Sequence, residues 1–98
     1  MIENIELYKD DKIKLKHLSI DKNTPLNEWM VKGALFVLNL DPEIEITPID
    51  EYTTYTMDIP NDLKQEIRSY TEKKEIKIRD FWVKVSHIIL EKEGDFDA

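Results

Sequence analysis

Residues Thr54–Lys64 read TYTMDIPNDLK. Polar and apolar residues alternate over about six positions, which is the period of a strand covered on one side. Tyr55, Met57 and Ile59 then share the inner face, and Thr54, Thr56 and Asp58 the outer. Pro60 lacks the N–H a ladder needs and ends the strand. Leu63, Ile67 and Tyr70 follow at helical spacing, with Asp62 placed near the positive end of the helix dipole. So short a strand requires a partner, and an acid on its outward face requires an explanation.

The partner is found by sliding the chain along itself until Ile2 lies over Thr54, a shift of 52 residues. The identical pairs are Asp10/Asp62, Lys12/Lys64, Lys22/Lys74, Val31/Val83, Lys32/Lys84 and Leu38/Leu90. Matches in kind are more numerous and include Ile5/Met57, Glu6/Asp58, Leu7/Ile59, Leu15/Ile67, Trp29/Phe81 and Met30/Trp82. Each half reads strand, helix, helix. Ile5 and Leu7 form the inner face of the first strand, Leu15 and Leu18 that of the first helix, and Leu26 to Leu38 supply the apolar stripe of the second. Thr24 before Pro25 predicts a hydroxyl N-cap for that second helix. In the second half the last helix carries Ile78, Phe81, Trp82, Val85 and Ile89, with no comparable cap ahead of it.

The charge follows the same division. The chain of 98 residues has a net charge of -7, yet residues 2–38 are neutral and residues 54–90 hold one excess positive charge. The acids concentrate in an expected linker, residues 39–53, and in a tail, residues 91–98. Two prolines suit the linker to an exposed path, and its Ile44, Ile46 and Ile49 imply that part of it packs.

Several chemistries are excluded or disfavoured. With no cysteine there is neither a disulfide nor a thiolate metal site. Only Gly33 and Gly94 are glycines, so a phosphate-cradling glycine loop is ruled out. His17 and His87 have no ligand-spaced partners in the sequence, Asp10 and Asp11 read as first-turn helix acids, and no serine has a nucleophile context. The expectation is a protein that is not an enzyme and needs no metal or cofactor. No apolar run approaches the roughly 18 residues of a membrane span, and the N-terminus has no basic segment leading into an apolar one. A cytoplasmic location is expected.

Strand, helix, helix in so short a repeat, with TMDIPNDLKQEI at one junction and TPLNEWMVKGAL opening a second helix, resembles the ribbon-helix-helix family of the Arc, MetJ and CopG type. The tandem arrangement is similar to the single-chain, TraY-like accessory proteins of plasmid transfer. This resemblance implies a mainly α fold with a short β ribbon, β-α-α-β-α-α, closing on itself as an intrachain pseudo-dimer. Its halves are residues 2–38 and 54–90, and Trp29, Met30, Phe81 and Trp82 lie at its centre.

The family's function implies a sequence-specific binder of double-stranded DNA, a small repressor or a plasmid or phage accessory factor in transcription regulation. The ribbon enters the major groove and the second helices grip phosphate. Carried over by position, the readers are Asn4, Glu6, Thr54, Thr56 and Asp58, and the phosphate grips are Lys22, Thr24, Lys74 and Lys77. Asn, Thr and carboxylate groups all have partners on base edges, but Glu6 and Asp58 stand where the family commonly has Arg, Lys or Gln. Near a polyanion each acid lowers affinity unless it is paired. A second class remains open: an acidic protein-interaction module, such as an antitoxin or a nucleic-acid-mimicking inhibitor, docking a protein partner through the linker or through the tail with its Phe96. Either way the chain acts as a monomeric pseudo-dimer or arrays further.

Overall fold

The computed structural model describes residues 2–44 and 51–96. Six elements follow in order: β1 (Ile2–Tyr8), α1 (Lys9–Asp21), α2 (Leu26–Leu40), β2 (Tyr52–Asp58), α3 (Asn61–Lys74) and α4 (Ile78–Lys92). The strands pair antiparallel in one two-stranded sheet, and the helices make up most of the rest. Shifting α2 by the repeat length lands on α4 from its first residue to its last, and α1 starts in register with α3.

Register carries the repeat into three dimensions. Asn4 faces Thr56, and the pairs on either side, Glu3 with Met57 and Ile5 with Tyr55, exchange under the same 52-residue shift. An approximate two-fold axis therefore passes through the Asn4–Thr56 pair. In the core it passes near Gly33 and Val85, which are also repeat equivalents: a Cβ on Gly33 would lie 2.9 Å from Val85 Cγ1. One glycine lets α2 and α4 cross this closely. Lys12 and Lys64, an identical pair in the sequence, each reach the strand of the other half. Lys12 Nζ donates to the Thr54 carbonyl at 2.6 Å, and Lys64 pairs with Glu3.

Alternation decides which strand residues are covered. Ile5, Leu7, Met57 and Ile59 are buried against the helices, whereas Ile2, Asn4, Glu6, Thr54, Thr56 and Asp58 are exposed. Trp29, Met30, Phe81 and Trp82 are all buried in one contiguous core. Phe81 and Trp82 meet edge to face at 5.2 Å, a favoured aromatic geometry.

The two halves share their element order but differ in how they pack. α4 buries Phe81, Trp82, Val83, Val85, Ser86, Ile88 and Ile89 and packs against β1, whereas its equivalent α2 buries Leu26, Trp29, Met30, Gly33, Ala34 and Val37 and makes little contact with β2. Side-chain size also distinguishes the equivalent pair Gly33 and Val85, because Gly33 gives α2 a notch and Val85 gives α4 a ridge. Boundaries shift as well. α2 runs on to Leu40 and β2 begins at Tyr52, leaving fewer residues between them than the expected linker 39–53. Of its apolar residues Ile44 packs on the core, and Ile46 and Ile49 lie outside the described residues, as does Asp97 of the tail.

Three further expectations are revised. Thr24 does not cap α2: the helix starts at Leu26 with Pro25 as its cap residue, and Thr24 Oγ1 donates instead to the Lys22 carbonyl at 3.1 Å. A hydroxyl two positions ahead of the first helical residue is one residue too early to reach the N2 or N3 amides. α4, expected uncapped, has Asp80 accepting from the Lys77 N–H at 3.3 Å, half of a capping box. His87 is not alone either, since its Nε2 stands 3.1 Å from Oδ2 of the buried Asp11.

Candidate nucleic-acid interface

The ribbon's outer face is built by two independent constraints, the alternation that turns Asn4, Glu6, Thr54, Thr56 and Asp58 outward and the register that sets Asn4 opposite Thr56. At its centre Thr56 Oγ1 donates to Asn4 Oδ1 at 2.6 Å. Both side chains are thereby held upright, with the Asn4 amide N–H donors and remaining lone pairs on both groups directed to solvent. Glu6 lies opposite Thr54 and Asp58 opposite Ile2.

Glu6 is not left as a bare charge. Arg79, from the first turn of α4, places Nη1 3.4 Å from Glu6 Oε2, and its guanidinium lies 4.3 Å from the centre of the Tyr52 ring. Stacking on Tyr52 holds the guanidinium over one end of the outer face. Tyr52 in turn leans on Tyr8 at 5.1 Å, closing the ribbon at the end away from Ile2. Sequence comparison of the halves missed Arg79 because its equivalent is Asn27, a residue without charge. The available signal was its place as the second residue of a helix whose start flanks the ribbon. Arg79 from α4 and Lys64 from α3 thus pair with Glu6 and Glu3 of β1, and Lys12 from α1 adds a third cation at the Thr54 carbonyl of β2.

The expected phosphate grips divide. Lys77 sits at the start of α4, and Lys22 at the end of α1 is exposed. Lys74, its repeat equivalent, is engaged elsewhere in an ion pair with Asp41 at the end of α2. Lys84 Nζ adds a second cation at 3.8 Å from Asp41, and Tyr70 donates its hydroxyl to the same carboxylate at 2.6 Å. The Lys74 and Tyr70 hydrogen bonds hold the Asp41 carboxyl below its usual range. Desolvation first, and Asp41 second, push the Tyr70 hydroxyl up to about 12. Lys74 is thus a structural cation joining α3 to α2.

The tail also departs from a free docking arm. Gly94, at φ +79°, passes so close to Trp29 that a Cβ would lie 2.5 Å from the ring. Phe96 packs on Phe36 at 5.7 Å, and Lys92 Nζ covers the same ring at 4.7 Å. The aromatic of the tail is spent inside the chain.

Among the described residues, no group of three or more His, Asp or Glu side chains is placed to hold a metal ion, and no helix is long and apolar enough to cross a membrane. No family model matches the chain, and neither a curated protein nor a solved structure is significantly similar to it.

Proposed function

We propose that the chain binds double-stranded DNA in the ribbon-helix-helix manner, inserting the outer face of the β1–β2 ribbon into the major groove. One observation carries this reading: an exposed polar face centred on Asn4 and Thr56, whose acid Glu6 is neutralised by Arg79. A net acidic chain binds a polyanion only if its local field is favourable, and the cations around this face provide that while many of the acids lie in the linker and tail. In the complex Asn4 and Thr56 address base edges, and Lys77 and Arg79 lie where phosphates flank the groove. The packing of Phe96 on Phe36 removes the apolar anchor that motivated docking through the tail, so the acidic interaction module is the weaker reading.

Titration of fluorescent duplexes covering the DNA upstream of the protein's own gene tests the proposal. Expected is tight binding to one segment, weakened by salt, with Asn4→Ala and Thr56→Ala each lowering discrimination by about 1–3 kcal/mol. Arg79→Gln should flatten the salt dependence by about one unit of slope. Equal binding to all sequences, or a response indifferent to salt, would overturn it.

A further inference from the structure

We propose that the cleft between the free edge of β1 and the first turn of α4 binds a small amphipathic anion, a carboxylate or sulfonate carried on an apolar ring or short chain. The cleft encloses about 350 Å³, within the range of small-molecule sites. Ile59, Ile67 and Trp82 form its buried floor, and Ile78 stands half-exposed at its lip. Such a floor favours a hydrocarbon body.

The rim selects charge. Four cations, Lys64, Arg68, Lys77 and Arg79, face two carboxylates, Glu3 and Glu6. Lys64 answers Glu3 and Arg79 answers Glu6, so the surplus is Arg68 and Lys77, neither of whose side chains has an ion-pair partner among the described residues. Arg79 Nε is buried with no acceptor among the described residues, a donor that an anion entering the cleft would satisfy. A neutral apolar ligand leaves the rim unanswered, and inorganic phosphate leaves the floor wet; an amphipathic anion serves both.

The other half of the chain does not repeat the site. By the same 52-residue shift Tyr55 stands in place of Glu3, Pro25 in place of Lys77 and Asn27 in place of Arg79. One site per chain follows. It stands independently of the nucleic-acid reading, since no DNA is needed to fill it.

Amide NMR of the full chain, titrated separately with octanoate and octanol, provides the test. Octanoate should saturate at one molecule per chain, shifting the Trp82 indole N–H and the amides of Asn4, Ile5 and Ile78. Octanol should bind about tenfold more weakly at the same place. Arg68→Gln combined with Lys77→Gln should weaken octanoate about tenfold and leave octanol unchanged, a tenfold change being the size expected for a lost charge-assisted hydrogen bond. The unliganded spectrum of the double variant reports whether it is folded, and Lys77→Gln alone should show a smaller weakening in the same direction. Equal affinity for the two probes, shifts confined to other surfaces, or no shift would each overturn the proposal.

Discussion

Tyr70 shows how one side chain links acid chemistry to stability. Its hydroxyl donates to Asp41 and also receives Lys84 Nζ at 3.2 Å, tying α3 to the end of α2 and to α4. An unfolded tyrosine ionises near pH 10. Between about pH 10 and 12 the unfolded chain has released a proton that the folded chain still holds, so stability falls as pH rises through that window. Absorbance titration of the phenolates should show a phase near pH 12, and Tyr70→Phe should remove it and lessen the alkaline loss of stability. Asp41 acts at the other extreme: with its pKa lowered, its contribution is present above the ordinary carboxylate range and is lost as pH falls below it. A second residue-scale case is Asp11, 4% exposed, whose Oδ2 and the His87 Nε2 beside it have no other hydrogen-bond partner among the described residues. His87 also rests edge-on against Tyr8 at 6.0 Å. His87→Ala removes both the facing polar group and this packing and should destabilise by roughly 1–3 kcal/mol in a urea titration; an unchanged midpoint would refute the coupling. Neither residue announced this role in the sequence, because Asp11 reads as a helix-start acid and its partner lies on the last helix.

At the scale of elements, the strands and helices were legible because their periods differ. Alternation to Pro60 and the i, i+4, i+7 spacing after it locate β2 and α3, and the same pattern in weaker form locates β1 and α2. α1 was the hard case: Ile13 and Ile20 are both exposed, so its apolar residues do not define one face. It is held by its neighbours, through Leu15 below and through Lys12 reaching β2. The α2–α4 crossing was not legible at all, since a glycine in a helix signals a packing need without saying against what. Gly33→Ala tests it. Alanine is the better helix former by about 1 kcal/mol, but its Cβ meets the branched Val85, and overpacking costs about 1–3 kcal/mol. The single variant should lose about 1 kcal/mol in chemical denaturation, and Gly33→Ala should become stabilising when placed on a Val85→Ala background. A gain in the single variant would mean that the helices part without cost.

For the molecule as a whole, the register is the feature that joins fold to proposed function. A single shift relates Asn4 to Thr56 and Gly33 to Val85, so the ribbon and the core share an axis that composition alone does not reveal. The candidate site was partly readable: alternation named the outward residues, while the cations that make an acidic ribbon tolerable came from α1, α3 and α4 and required the folded arrangement. Because both strands belong to one chain, each is also specified by its own stretch of gene. In a symmetric pair of identical chains every mutation is made twice, and a change that improves one strand is imposed on its mate. Here Glu3 and Tyr55, or Arg79 and Asn27, have already diverged at equivalent places. The two strands of this ribbon are free to evolve apart, and under the proposed function a target without a palindrome is within their reach.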